Sequence, residues 1–183
     1  NPPKRHNENE KAFKRFLLHT QEKEPVNVAL DPTVILTYAA VVNNIIFAID
    51  QFGKLILGPE TMKEQLKDKR IMQLCVQRSE TVVFVLQDQI LRMAALNYSE
   101  RPSDILYTGK PLNVICGALH TFVLEESGYK AFGANISGQC GVPGNETYDI
   151  PVEAHFLDDA VEISVGGWHN YARLKNGKFY GWG

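Results

Sequence analysis

A stretch of this 183-residue chain repeats itself with a period near fifty residues. Gly117-Ala118-Leu119-His120 is followed eight positions after the histidine by Gly128, and then by a strand-like run ending at Gly133. Gly166-Gly167-Trp168-His169 is followed in the same way by Gly177 and a run ending at Gly183. The histidines are 49 positions apart and the closing glycines 50. A fixed period of this length means an array of like supersecondary units, each burying its apolar surface against its neighbours.

The units are β-structured. Twelve short β-branched and aromatic runs lie between Val34 and Trp182, among them Thr81–Leu86, Leu112–Cys116, Thr121–Leu124 and Tyr171–Leu174. They leave 58–70, 97–111 and 133–160 without a regular element. Asp50-Gln51-Phe52-Gly53, Glu126-Ser127-Gly128 and Lys175-Asn176-Gly177 read as hairpin turns, because Asn and Gly tolerate the positive φ that tight turns demand. Many short strands joined by hairpins predict a sandwich, barrel or propeller, and the repeat selects the propeller.

Between the two copies runs Gly133-Ala134-Asn135-Ile136-Ser137-Gly138-Gln139-Cys140-Gly141, with Pro151 beyond it, and the second copy closes on Tyr180-Gly181-Trp182-Gly183. This G-x-N-x-x-G-Q-x-G loop, flanked by G-x-x-H hairpins in constant register, resembles the regulator-of-chromosome-condensation repeat. Cys140 stands where that family usually has leucine, a modest departure, since a free cysteine behaves as a small buried apolar group. The resemblance implies an all-β, partial propeller of three to four blades, well formed over 112–183 and degenerate over 26–111. Residues 1–25 fall outside it. There, Phe13, Phe16, Leu17 and Leu18 recur at helical spacing among charges, predicting a short amphipathic helix over 8–21.

The motif residues read as structural. Gly117, Gly128, Gly133, Gly138, Gly141, Gly166, Gly177 and Gly183 suit backbone that a Cβ would obstruct. Asn135 and Gln139 are placed to hold the long loop by its backbone groups. His120 and His169 are expected to be buried ties between strand and loop, and Trp182 closes the blade. Three cysteines, Cys75, Cys116 and Cys140, form no C-x-x-C pair and suggest free thiols in an intracellular protein, cytoplasmic or nuclear.

Nineteen basic residues against twenty-one acidic ones exclude a global electrostatic case for nucleic acid or membrane. No apolar run approaches the roughly 20 residues of a membrane helix. No catalytic motif, metal spacing or cofactor loop is present, so neither enzyme chemistry nor a cofactor is expected. The expected function is a protein-interaction platform within a larger regulatory protein. The resemblance also implies an alternative, guanine nucleotide exchange on a small GTPase such as Ran, with chromatin contact through the basic Lys4–Arg15 segment. The family's exchange-active loop residues match no motif in this chain. A light-sensing role would need a tryptophan cluster, and the chain has only Trp168 and Trp182. Because the chain begins without Met and stops at a blade boundary, it is expected to be a piece of a longer protein.

Overall fold

A computed structural model describes residues 30–42, 45–77, 81–87, 89–94, 103–105, 107 and 109–183. The expected helix over 8–21, the Lys4–Arg15 segment and the boundary at residue 25 lie outside the described residues.

Four small antiparallel sheets follow one another along the chain. The first holds β1 (Leu36–Val42), β2 (Ile45–Asp50) and β3 (Leu55–Leu57). The second holds β4 (Gln73–Gln77), β5 (Thr81–Val85), β6 (Ile90–Ala94) and β7 (Ser103–Ile105). The third holds β8 (Asn113–Cys116), β9 (His120–Glu125), β10 (Gly128–Ala134) and β11 (Thr147–Glu153). The fourth holds β12 (Ala160–Val165), β13 (Asn170–Leu174) and β14 (Phe179–Trp182). Each sheet is a blade, and β1, β4, β8 and β12 are edge strands that neighbour one another along the inner side of the arc. The all-β partial propeller of three to four blades that the resemblance implies is what the described residues form, with four blades.

Two elements per blade follow from local chemistry. In both the β2–β3 and β13–β14 hairpins a three-residue loop ends in a left-handed glycine, Gly53 or Gly177, each with φ 80°. The glycine N–H closes the turn onto the carbonyl of Asp50 or Leu174, at 3.0 and 2.9 Å. In the first blade a helix, α1 (Glu60–Leu66), follows β3 where the second and third blades have a fourth strand. Met62 and Leu66, one turn apart on one face, are buried against Phe47, Leu55 and Leu74. This helix and the strands β7 and β11 fall in segments where the sequence predicted no element.

The core lies between blades. On β5, Val82 and Phe84 join a cluster with Phe47 and Ile49 of the first blade, whereas Val83 and Val85 join Val114, Val123 and Phe132 of the third. On β9, Val123 faces back to the second blade, while Phe122 joins Ala131, Cys140, Leu157 and Ala172 toward the fourth. Successive strand residues point to opposite faces, so each inner blade donates half of its apolar residues to each neighbour.

The cysteines depart from expectation. Cys75 of β4 and Cys116 of β8 form a disulfide across adjacent blades, with Cα atoms 6.0 Å apart. They are 41 positions apart in sequence yet occupy corresponding places on stacked inner strands. Only Cys140 is a free thiol, and it is buried.

Candidate protein interface

The segment 135–146 joins β10 to β11 and is braced from inside. Asn135, fully buried, donates from Nδ2 to the carbonyls of Val142 (3.0 Å) and Gly144 (2.6 Å) and accepts from the Cys140 N–H (2.9 Å). Gln139 accepts the Ser137 N–H on its side-chain oxygen at 2.8 Å. Its backbone carbonyl accepts from Asn170 Nδ2 (2.8 Å) and from Trp182 Nε1 (3.1 Å), both in the fourth blade. The loop is therefore a bracket between blades, and the motif residues Asn135, Gln139 and Trp182 are brought together in it.

His120 completes the bracket. Its Nε2 lies 2.7 Å from Asn170 Oδ1, and its ring sits edge-on to Phe122. Asn170 Nδ2 is already committed to Gln139, so its oxygen faces the imidazole and the network assigns the proton to Nε2. Burial lowers the His120 pKa, with the Asn170 hydrogen bond opposing, so the ring is neutral. Burial pushes the Cys140 thiol up to about 12. Neither group reaches a substrate, and both belong to the interior.

The expectation that both repeat histidines are buried holds for His120 and fails for His169, which is exposed. The reason is the neighbour: His120 is covered by the fourth blade, and no described blade covers His169. Gly133 and Gly183 fill equivalent places, with φ of 101° and 120°. A Cβ on Gly133 would overlap the Leu119 carbonyl and lie 2.8 Å from His120 Cα, and one on Gly183 would lie 2.7 Å from His169 Cα. Gly117 and Gly166 pack beneath the histidines of their own hairpins, Gly141 beneath Phe156 and Trp182, Gly128 opens β10 directly after its turn, and Gly138 and Gly177 sit in turns.

The two ends of the blades differ in chemistry. At one end lie the 117–119, 135–146 and 166–168 connections, the first and third touching through Ala118 N–H to the Gly167 carbonyl at 3.3 Å. Leu119, Ile136 and Trp168 are 42%, 68% and 45% exposed there. Glu146 is the single Asp, Glu, Lys or Arg in these three connections. At the other end the turns and strand ends carry Glu125, Glu126, Lys130, Glu153, Asp158, Asp159, Lys175 and Lys178. Lys130 Nζ lies 3.1 Å from the Glu125 carboxylate and 3.6 Å from Glu153. Exposed apolar side chains on a braced, nearly charge-free loop surface are the composition of a protein contact. The sequence reading passed over Leu119 and Ile136, although apolar residues inside glycine-rich polar loops are a usable signal.

Elsewhere, a cleft along β3 and α1 is lined by Lys54, Lys63, Lys67, Glu60 and Glu64. Lys63 pairs with Glu60 and Lys67 with Glu64, which leaves it a self-compensated charged surface. Among the described residues no group of three or more His, Cys, Asp or Glu could hold a metal ion, and no helix is long and apolar enough to cross a membrane.

Comparison with known proteins places this arrangement. The sequence model of the regulator of chromosome condensation (RCC1) repeat matches residues 131–173. No curated protein matches the chain. Among solved structures, Prp20p of Saccharomyces cerevisiae, described with its binding properties to Gsp1p and histones, is similar with a TM-score of 0.60 and 17% identity. The match covers 81% of this chain and 43% of that one. Human WBSCR16 is similar with a TM-score of 0.58 and 16% identity, over 87% of this chain and 51% of that one. The ectodomain of the Arabidopsis thaliana receptor kinase ACR4 reaches a TM-score of 0.56 at 10% identity, over 83% and 57%. The chain thus spans about half the length of the propellers it resembles.

Proposed function

Since residues 131–173 match the regulator-of-chromosome-condensation repeat, we propose that the chain is a rigid protein-interaction platform whose contact surface is the uncharged loop end of the blades. The observation that supports this is the asymmetry between the ends: Leu119, Ile136 and Trp168 are exposed on loops that hold one acidic residue, while charge gathers opposite. The Asn135–Gln139–Asn170 bracket lowers the ordering cost of binding by holding the loop in one conformation before a partner arrives. The platform works by contact, without covalent catalysis or a cofactor, in the cytoplasm or nucleus as part of a larger regulatory protein.

The test compares the wild-type chain with Ile136→Asp, Trp168→Asp and, at the charged end, Lys175→Glu, using partners captured by proximity labelling and then purified. Binding to a purified partner should fall at least tenfold for the loop variants and stay within twofold for Lys175→Glu, in line with the cost of losing a buried anchor. A partner that tolerates both loop substitutions and loses affinity with Lys175→Glu would reverse the assignment.

A second reading is nucleotide exchange on a small GTPase such as Ran. It is favoured by the similarity to Prp20p, the protein described as binding Gsp1p and histones. Exchange needs only that loops displace nucleotide from the phosphate and magnesium region. Release of labelled GDP from purified Ran decides it, and no acceleration at stoichiometric chain excludes it. Histone contact would fall to the basic Lys4–Arg15 segment, and its removal should then abolish nucleosome binding.

A further inference from the structure

We propose that Cys75 and Cys116 are a reversible dithiol–disulfide latch on the seam between the second and third blades, closed by oxidation and opened by reduction without unfolding of the blades.

No backbone ladder joins β4 to β8, because each is the edge of its own sheet. Side chains do the joining, and on β4 they do so at alternate positions. Gln73 clasps Val114 on both sides, donating to its carbonyl at 2.6 Å and accepting its N–H at 3.0 Å. Gln77 donates to Thr121 Oγ1 at 2.7 Å. Cys75 lies between them, on the same face by the period of two, and meets Cys116. The flanking glutamines already hold the strands in register, so the 6.0 Å Cα separation is kept by contacts that do not need the sulfur–sulfur bond. A bond whose partners are held in place by other means can break and re-form in the folded protein.

Access distinguishes these sulfurs from the third. Cys75 and Cys116 are half-buried at the inner edge of the blades, while Cys140 is fully enclosed. With three cysteines in the chain, no other seam can carry an internal bond once this one has formed. The seam between the third and fourth blades uses His120 and Asn170 instead.

With glutathione disulfide as oxidant the chemistry closes. One cysteine thiolate attacks a glutathione sulfur, forming a mixed disulfide and expelling glutathione thiolate. The second cysteine thiolate attacks the protein sulfur of that intermediate and expels the second glutathione. Two protein thiols are oxidised by two electrons, one glutathione disulfide yields two glutathiones, and the two protons lost by the cysteines end on them. Reduced glutathione runs the sequence backward. Cys116 ends β8 and Gly117–Leu119 follow it, so an opened latch is felt first in that loop.

The test equilibrates the whole chain in glutathione buffers of graded poise, quenches by alkylation and reads intact mass, circular dichroism and hydrogen exchange. The expected result is a single two-electron step between a form with no alkylated cysteine and one with two, both folded by near-ultraviolet dichroism. The reduced form should exchange faster in 73–77 and 113–121 and melt roughly 5–10 °C lower, the scale of one cross-link in a domain of this size. The double variant Cys75→Ala/Cys116→Ala should melt with the reduced wild type and ignore glutathione. The titration of the wild type is decisive even if that variant fails to fold. The proposal is overturned if no bond forms under oxidised glutathione, if the bond resists millimolar reduced glutathione until the chain unfolds, or if the reduced chain loses its fold.

Discussion

His120 Nε2 and Asn170 Oδ1 meet at 2.7 Å across the boundary between the third and fourth blades, both residues fully buried. Asn170 is the better target of the two, because it also holds the Gln139 carbonyl. Asn170→Ala strands a buried imidazole N–H and removes one of two donors to Gln139. It should cost about 2–3 kcal/mol of stability, read as a lower urea midpoint, with exchange rising first in 135–146. An unchanged midpoint would mean that the bracket carries no stability.

Acid should loosen the same boundary. The folded chain holds the His120 pKa below its ordinary 6.5, chiefly through burial, so it binds fewer protons than the unfolded chain once the pH falls below that value. The stabilisation is complete above about pH 6.5 and is lost progressively toward the depressed folded value. His120→Gln keeps a donor for Asn170 and cannot titrate. The melting temperature of the wild type should exceed that of the variant by several degrees at neutral pH, and the gap should narrow progressively as the pH falls below the ordinary histidine value. A gap independent of pH would remove His120 from the acid response.

Gly133 and Gly138 separate crowding from backbone preference. Both have positive φ, 101° and 77°, but a Cβ at 133 strikes the 119–120 backbone while one at 138 meets nothing. Gly133→Ala should cost about 3 kcal/mol or more and Gly138→Ala about 1 kcal/mol, measured by equilibrium unfolding.

Cys140 should be silent toward iodoacetamide in the folded chain. Its thiol is enclosed and held protonated near 12, and the thiolate is the reactive form. Alkylation at the rate of global unfolding is the expected outcome, whereas rapid labelling would show that the 135–146 loop opens.

Much of this was legible in the chain itself. Repeat spacing located the third and fourth blades because Gly133 and Gly183 answer the same steric demand. Thr81–Val85 was readable as a strand from its β-branched run, although both its faces are buried and the usual alternation is missing. The outermost strand Thr147–Glu153 was not, since it is largely exposed, contains Pro151 and offers no hydrophobic contrast. The α1 helix hid in seven residues with two apolar anchors, Met62 and Leu66, too short for a periodic signal. Cys75 and Cys116 hold matching places on the inner strands of successive blades. Stacking turns such matching places into neighbours, a relation the search for C-x-x-C pairs could not detect.

Phe122 and Val123, adjacent in sequence, serve different clusters, and the same division runs through Phe84 and Val85. A blade excised alone would therefore keep its hydrogen-bonded ladder and lose the oily halves that clothe both its faces. Grafts between proteins of this build should exchange facing halves rather than whole sheets. Moving Phe122, Tyr129, Ala131, Cys140, Ala154, Leu157 and Ala172 together carries the buried residues of one complete cluster, whereas exchanging the third sheet whole divides two.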